Sequence, residues 1–326
     1  MPNNLLKNDV MSKKNADTVV AVVVTYNRKD LLGECLGAIK QQSVAVKRII
    51  LVDNASTDGT HEYLQKKGLL DGNLVQYVLM KKNTGGSGGF FEGIRRARKC
   101  DADWVWLMDD DTIPNNDCLE KLLNGIVRLK QAGESNIAFA ASSVYGENGE
   151  FMNVPEINHS PSENGYSGWY RTIKLRAIGI TNASFVSVLI NKDAILKCGL
   201  PCRDYFIWGD DTEYTTRLSR KYGPGFLIGD SEVVHKRKNA KTLNIKEESD
   251  VTRINMYYYY YRNAVINARL YGLVDFKKLV IRHILFAMKL ITDEKGIQKS
   301  KIVIKGTVEG VLQYRRFERY ISKQLS

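Results

Sequence analysis

Four alternations of a short apolar run with an amphipathic segment fill the first part of the chain, and they constrain its fold most. The apolar runs have the length and β-branched content of buried strands. They lie at residues 19–25, 48–52, 74–80 and 104–108. A helical pattern follows each run, and such alternation predicts an α/β fold with a mostly parallel central sheet covered by helices on both faces.

Polar residues directly follow each of these runs and give the first indication of a site. They are Thr25, Asn27 and Arg28 after the first run, Asp53 after the second, residues 83–89 after the third, and Asp109, Asp110 and Asp111 after the fourth. Ligands of open α/β sheets bind outside the carboxyl ends of the strands. We therefore expect these groups to line one cleft.

The three adjacent carboxylates of Asp109, Asp110 and Asp111 repel one another, so a cation or solvent has to offset their charge. Asp109 and Asp111 fit a Mg²⁺ or Mn²⁺ ion that would neutralise a bound diphosphate. His235, which follows the last predicted strand, is a further candidate ligand. The alternatives are a solvated turn for the aspartates and a hydrogen-bonded structural role for His235.

Two other segments suggest nucleotide binding. The carboxylate of Asp53 could accept a hydrogen bond from a base or ribose, or it could open an Asx turn with Asn54 and Ser56. The run after Asn83 is glycine-rich and precedes a helix predicted from about Phe91, so its amides could face an anion. Its glycines are Gly85, Gly86, Gly88 and Gly89. A flexible turn is the alternative, since the run matches neither a dinucleotide fingerprint nor a P-loop.

Asp210 and Asp211 open another predicted helix, which runs to about Tyr222. Negative charge is stabilised at a helix start, so a carboxylate there can stay ionised and act as a base. Ordinary helix capping is the alternative. Trp104 and Trp208 flank the acidic groups in the sequence and either stack on a sugar or belong to the core. The sequence contains no evident Ser-His-Asp or Cys-His set, which disfavours covalent catalysis.

The sequence pattern changes near residue 240, and no strand pattern follows it. From Lys241 onward the chain has 17 Lys and Arg residues against 8 Asp and Glu, and its patterns are helical. We predict a loosely attached or disordered segment over residues 1–17, a catalytic domain over 18–240 and a basic helical region over 241–326.

The basic region suits either an anionic membrane surface or a packing or homo-oligomer contact. Nucleic acid is not a predicted partner, because no nucleic-acid motif accompanies the charge. The sequence has neither the apolar core of a signal peptide nor an uncharged run long enough to span a bilayer. We therefore expect a cytoplasmic protein, with any membrane contact peripheral at the inner face of the plasma membrane.

These motifs resemble those of the family 2 glycosyltransferases with a GT-A fold, over about residues 19–238. The resemblance rests on the sequence Thr-Tyr-Asn-Arg at 25–28, Val-Asp-Asn-Ala-Ser-Thr-Asp-Gly at 52–59 and the aspartates at 109–111. The pattern Asn-x-Gly-Gly-x-Gly-Gly-Phe at 83–90, the pattern Phe-Ile-Trp-x-Asp-Asp-x-Glu-Tyr at 206–214 and His235 are more specific. They are similar to the galactofuranosyltransferase branch of that family.

The resemblance implies that Asp53 contacts the nucleotide base, that Asp111 and His235 hold Mg²⁺ or Mn²⁺, and that Asp211, beside Asp210, is the catalytic base. It implies inverting transfer of galactofuranose from UDP-galactofuranose to a saccharide or polyprenyl-diphosphate-linked saccharide. A rhamnosyltransferase using dTDP-rhamnose is the nearest rival, and a nucleotidyltransferase is a more remote one. Polymerising enzymes of the branch carry an N-terminal β-rich domain. A first strand near Val19 instead favours formation of a single linkage.

Overall fold

The computed structural model describes residues 17–237, 242–272 and 274–325. The strands are β1 Val19–Thr25, β2 Arg48–Asp53, β3 Val75–Leu79, β4 Trp104–Asp109, β5 Thr112–Pro114, β6 Phe139–Tyr145, β7 Phe151–Met152, β8 Ala177–Ile180, β9 Val188–Asn191 and β10 Gly225–His235. The helices are α1 Lys29–Lys40, α2 Thr60–Lys66, α3 Gly85–Ala97, α4 Cys118–Gln131, α5 Lys192–Cys198, α6 Asp210–Lys221, α7 Val251–Tyr271, α8 Phe276–Leu290 and α9 Gly296–Leu325. Short 3₁₀ helices lie at Gly168–Leu175 and Arg203–Tyr205.

One sheet carries the fold, with the strand order β3-β2-β1-β4-β9-β6-β10-β5. The four strands predicted from the alternating runs are parallel to one another. Strand β9 lies antiparallel between β4 and β6, and β6 is parallel to β10. The predicted α/β class is confirmed, and the second half of the sheet is mixed rather than parallel.

Strand β1 shows why its sequence has no polar residue before Thr25. All seven of its residues are buried. Val19, Ala21 and Val23 belong to the apolar core on one face of the sheet. The intervening residues of β1 belong to the core on the other face. Because both faces of β1 are covered, the polar groups of the strands are confined to their ends.

The glycine run is the start of helix α3, not a turn before a helix that begins near Phe91, and the reason is packing. A Cβ atom at Gly89 would lie 2.4 Å from Cγ1 of Val24, and one at Gly93 would lie 2.3 Å from Cγ1 of Val22. Helix α3 therefore approaches β1 more closely than any larger residue would permit. Close packing here outweighs the low intrinsic helix propensity of glycine.

The last part of the described chain is helical, as predicted, and packs on the loop that precedes α6. Helix α7 packs along α9, and α8 packs against both. The predicted boundary near residue 240 and nearly all of the segment 1–17 lie outside the described residues. In the described ranges, no helix combines the length and hydropathy needed to cross a bilayer.

Candidate active site

The two acidic clusters singled out in the sequence lie near enough to interact electrostatically, at the carboxyl edge of the sheet. Burial raises the pKa of Asp109 well above its ordinary value, and the nearby charges of Asp111, Asp110 and Asp210 raise it further. Asp210 influences Asp109 although the two are far apart in the chain, so the end of β4 faces the start of α6. We call the region between the end of β4 and the start of α6 the cleft.

Asp110 ties the end of β4 to the end of β1. Its Oδ2 accepts hydrogen bonds from Thr25 Oγ1 at 2.7 Å and from the Tyr26 amide at 3.3 Å. Its Oδ1 lies 3.3 Å from Nη1 of Arg28. Burial raises the pKa of Asp110 to about 6, although Arg28 and Thr25 favour the ionised form. Asp110 therefore joins the ends of β1 and β4, and Arg28 stabilises its ionised form.

Asp111 meets His235, which arrives from the end of β10. His235 Nε2 lies 3.1 Å from Asp111 Oδ1, and Nδ1 is 2.9 Å from Oδ1 of Asn153. Arg28 Nη1 contacts the other carboxylate oxygen of Asp111 at 2.5 Å. Burial opposes ionisation of Asp111, but His235 and Arg28 outweigh it and lower its pKa. The sequence did not point to Asn153, which orients the imidazole.

This pair fits a divalent cation in its chemistry. The imidazole nitrogen and the carboxylate are ordinary ligands of Mn²⁺, and Oδ1 of Asp111 is buried without a well-aligned hydrogen bond. Among the described residues, however, no three His, Cys, Asp or Glu side chains are arranged around one point. Asp109 is therefore not placed as the third member of the predicted ligand set.

Asp53 links the end of β2 to β3, and Asn27 links the end of β1 to the loop after β2. Asp53 Oδ1 accepts the Ser56 amide at 2.7 Å, and Oδ2 accepts the hydroxyl of Tyr77 at 2.5 Å. The Asx-type turn considered as an alternative is therefore present. Asn27, with a positive φ of 54°, accepts the Thr57 amide at 2.7 Å through its side chain. A base-binding role for Asp53 would use the remaining lone pairs of its carboxylate.

Asn54, which sequence reasoning passed over, holds the start of helix α3. Its side-chain nitrogen donates to Asn83 Oδ1 at 3.0 Å and to the Gly85 carbonyl at 2.8 Å. Its Oδ1 accepts from the amide and the hydroxyl of Thr84, at 2.9 and 3.0 Å. The Asn54 side chain is buried and fully paired, so it fixes the position of the glycine-rich helix start.

Two of the helix-start amides are not directed toward an anion, contrary to the simplest reading of the glycine run. The Gly85 amide donates to Asn83 Oδ1 at 2.8 Å, and the Ser87 amide donates to the Phe206 carbonyl at 3.1 Å. Gly86 has open space where a side chain would be. The face of α3 that a ligand can approach is therefore centred on Gly86.

Asp210 and Asp211 form the first turn of α6, after a left-handed Gly209. Burial and the charge of Asp211 raise the pKa of Asp210 to about 8. Burial also raises the pKa of Asp211, against a 2.7 Å hydrogen bond from the Thr212 amide to its Oδ1. At neutral pH the pair is therefore inclined to hold one proton, with Asp211 the more readily ionised member and the more exposed one.

The loop over residues 203–209, which leads to this pair, has strained backbone. Phe206 and Trp208 have φ values of 68° and 61°, which non-glycine residues rarely adopt. Such conformations cost about 1–3 kcal/mol each and persist only where neighbouring groups hold them. Helix α7 supplies those groups, although it lies about 40 residues further along the chain.

Three polar residues on one side of α7 hold this loop. Asn263 Nδ2 lies 2.7 Å from the Trp208 carbonyl and also contacts the carbonyls of residues 205 and 207. Asn267 Nδ2 donates to the Gly209 carbonyl at 2.9 Å. Arg262 Nη2 donates to the Tyr205 carbonyl at 3.0 Å. The position of the acidic pair thus depends on a helix near the end of the chain.

The two tryptophans flanking the acidic groups have different surroundings. Trp104 is buried at the first residue of β4, and its Nε1 donates to Asp17 at 3.0 Å. Because Asp109 ends the same strand, Trp104 lies at the opposite edge of the sheet from the cleft, and its predicted sugar contact is wrong. Trp208 is partly buried against Tyr257 and Tyr260 at the cleft side of α7.

Comparison with known proteins gives a match to a family model. Residues 20–198 match the family model described as glycosyl transferase family 2, which is more than half of the chain. The chain belongs to glycosyl transferase family 2. This membership makes the protein a glycosyltransferase. Asp210, Asp211 and His235 lie beyond the matched segment.

Family 2 relatives with curated names support the resemblance drawn from the motifs. The galactofuranosyltransferase GlfT1 of Mycolicibacterium smegmatis is 28% identical over 217 residues, which are 63% of this chain and 67% of that protein. GlfT1 of Mycobacterium tuberculosis is 38% identical over 97 residues, which are 29% of this chain and 31% of that protein.

A crystal structure of GalNAc-T7 with UDP, GalNAc and Mn²⁺ shares the fold, with a TM-score of 0.55 and 16% identity. The likeness covers 82% of this chain and 54% of the GalNAc-T7 chain. It confirms the GT-A architecture that the motifs implied.

Proposed function

We propose that this family 2 enzyme transfers galactofuranose from UDP-galactofuranose to a hydroxyl of a saccharide or polyprenyl-diphosphate-linked saccharide. The observation that carries the proposal is the electrostatic interaction between Asp109 and Asp210. In this proposal Asp109 would lie on the donor side and Asp210 on the acceptor side. A transferase needs both, because the leaving diphosphate has to be neutralised and the attacking hydroxyl has to lose its proton.

On the donor side, Asp111 and His235 would hold Mn²⁺ or Mg²⁺, and that ion would offset the charge developing on the diphosphate. The supporting observation is the buried, poorly satisfied Oδ1 of Asp111 beside Nε2 of His235. Arg28 supplies a second positive charge at the same carboxylates. The open face of α3 at Gly86 leaves room for the nucleotide, and Asp53 would meet its base.

On the acceptor side, Asp211 would take the proton from the attacking hydroxyl, with Asp210 beside it carrying a proton at neutral pH. The raised pKa of Asp210 and the greater exposure of Asp211 favour this division of roles. One base and no covalent intermediate give a single displacement, which inverts the anomeric centre. Trp208 would pack on the acceptor sugar beside these carboxylates.

Release of UDP from UDP-galactofuranose, measured with and without Mn²⁺ and with synthetic glycolipid acceptors, tests the proposal. Asp211→Asn should lower kcat by about 10²–10⁴-fold with the acceptor present. Asp111→Asn should lose the activity that Mn²⁺ stimulates. Glu120→Gln, a surface change on α4, should change neither kcat nor the stimulation by Mn²⁺. Turnover with dTDP-rhamnose but none with UDP-galactofuranose would instead identify a rhamnosyltransferase.

A nucleotidyltransferase remains the second candidate class, because it also uses carboxylates at strand ends. It needs no base on the acceptor side, so Asp211→Asn would leave its activity largely intact.

Cytoplasmic location with peripheral contact at the inner face of the plasma membrane belongs to the proposal, since a lipid-linked acceptor would be presented there. A homo-oligomer is the alternative use of the basic C-terminal helices, which form a separate region in this proposal.

A further inference from the structure

Helix α8 has two apolar faces, and only one of them is covered. Leu279, His283, Ala287 and Leu290 are buried toward α7 and α9. The opposite face carries five apolar residues that are between 43% and 55% exposed: Ile281, Ile284, Leu285, Met288 and Ile291. We call these five the α8 stripe. Single exposed apolar residues are ordinary, but a continuous stripe marks an interaction surface.

The charged side chains within helix α8 all have one sign. Lys278, Arg282 and Lys289 are exposed along one flank of the stripe, by the 100° spacing of helical residues. The sequence from 276 to 292 contains no Asp or Glu. An amphipathic helix with a cationic flank and no acidic residue complements a surface that is both negatively charged and apolar beneath.

We propose that the α8 stripe docks on an anionic lipid bilayer, with its five apolar side chains entering the headgroup region. The three flanking cations would then pair with lipid phosphates. A second copy of this chain is a poorer occupant, because a symmetric contact through this face would bring two cationic flanks together. The docking stands on these charges and exposures alone and does not depend on the proposed function.

The position of α8 near the cleft indicates what the docking would be for, and this part of the inference rests on the proposed function. Ala287 and Leu290, on the covered face of α8, form an apolar cluster with Tyr257 and Tyr261 of α7. Trp208 packs against this cluster two residues before Asp210. The acceptor side of the cleft is therefore connected to the docking helix through one layer of side chains, where a lipid-linked acceptor would arrive.

Sedimentation of the full chain with vesicles tests the docking without any substrate. The probes are vesicles of phosphatidylcholine alone and vesicles of phosphatidylcholine mixed with phosphatidylglycerol. We expect binding to the anionic vesicles only. The double variant Leu285→Glu with Met288→Glu should lower the partition coefficient about tenfold or more. The triple variant Lys278→Gln, Arg282→Gln and Lys289→Gln should lower it on the order of 100-fold at low salt.

The matched control is Val127→Glu on α4, because Val127 is 47% exposed but stands alone. It should bind vesicles like the parent. Circular dichroism and UDP release with a soluble acceptor verify that each variant is folded and active. The proposal is overturned if the stripe variants bind as the parent does, if neutral vesicles bind equally well, or if no vesicles bind. A lipid-free dimer that Leu285→Glu dissociates would also overturn it, in favour of a contact between two copies.

Discussion

The side-chain amide of Asn263 lies 2.7 Å from the carbonyl oxygen of Trp208, and so links the middle of helix α7 to the loop that carries the acidic pair. The same nitrogen contacts the carbonyls of residues 205 and 207. Two of the three loop residues from 206 to 208 have positive φ values. Asn263 is therefore a positioning residue for Asp210 and Asp211.

Replacing Asn263 with Ala should lower kcat by about 10- to 100-fold and leave the KM for the nucleotide sugar nearly unchanged. The loop loses its buried partner and three carbonyls lose a donor, which should also cost about 2 kcal/mol of unfolding free energy. Steady-state kinetics and urea unfolding measure the two effects. Asn255→Ala, an exposed position on the same helix, is the control, and an equal loss of kcat there would contradict the positioning role.

Asn54→Ala should act on the donor side instead. Four hydrogen bonds join Asn54 to Asn83, Thr84 and Gly85 at the start of α3. Their loss should raise the KM for the nucleotide sugar several-fold and destabilise the protein by about 2–3 kcal/mol. Donor titrations and thermal unfolding measure these changes. Asn73→Ala, at an exposed turn, is the control and should change neither the KM nor the stability. If Asn54→Ala bound the donor as the parent does, the start of α3 would not take part in nucleotide binding.

Two neighbouring glycines of α3 should respond in opposite ways to alanine. A Cβ at Gly89 meets Cγ1 of Val24 at 2.4 Å, so Gly89→Ala should destabilise by about 1–3 kcal/mol. A Cβ at Gly86 would meet no atom within 4 Å apart from the adjoining helix backbone, so Gly86→Ala should be neutral or stabilise the helix by up to about 1 kcal/mol. Denaturant unfolding of both variants decides this. A stable Gly89→Ala would mean that α3 can move away from β1.

The pH dependence of activity should follow the acidic pair. Because burial and Asp211 raise the pKa of Asp210 to about 8, the pair holds one proton at neutral pH, on Asp210, and Asp211 is the ionised base. The base form is lost when Asp211 is protonated, so kcat/KM should fall as the pH is lowered, and loss of the Asp210 proton should give a second inflection near pH 8. Asp210→Asn should remove the inflection near pH 8 and keep the fall at low pH. An inflection near pH 8 that persists in Asp210→Asn would assign that titration to another group.

The same raised pKa has a consequence for stability. The folded state holds the proton of Asp210 up to about pH 8, while an unfolded carboxyl releases it near pH 4. The folded state thus binds more protons between these values, so this group makes the protein less stable as the pH rises. Asp210→Asn should gain about 2 kcal/mol or more over the parent at pH 8 and little at pH 4, as thermal melts at both values would show. An equal difference at the two pH values would contradict this linkage.

Arg28 should compete with a metal ion at Asp111. Its guanidinium contacts Asp110 and Asp111 and is half exposed, so its removal leaves their charges unbalanced at a cost of about 1 kcal/mol. Arg28→Gln should melt at a lower temperature than the parent without metal. Mn²⁺ should then raise its melting temperature by more than it raises that of the parent. Arg48→Gln, at the exposed start of β2, is the control, and an equal Mn²⁺ effect in Arg28→Gln and the parent would show that Arg28 and the ion do not share this carboxylate.

The alternation of apolar runs and helices was enough to predict the α/β sheet, because β-branched runs such as that of β1 have few other uses. It was also enough to bring Asp53 and Asp111 to one edge, since parallel strands end together. The start of α3 was missed because propensity argues against a helix at Gly85, whereas contact with β1 is decided by tertiary packing.

Other residues escaped prediction because their partners are distant in the chain or lack a sequence signal. Asn263 binds backbone carbonyls, which every residue has, so no motif indicates it. Asn54 belongs to the motif at 52–59, but nothing in that motif indicates its contacts with the start of α3. The pattern of Asn263 and Asn267, four residues apart just after the tyrosine block at 257–261, was the available clue. Trp104 was assigned to the cleft because it is near Asp109 in the chain, but an extended strand carries its two ends to opposite edges of the sheet.

The support that α7 gives to the loop over 203–209 bears on which part of the chain can be separated from the rest. The match to the family model ends at residue 198, before that loop and before the helix that braces it. A fragment cut back to the matched segment would lack the loop, and one cut just before α7 would keep the loop without the partners of its strained backbone.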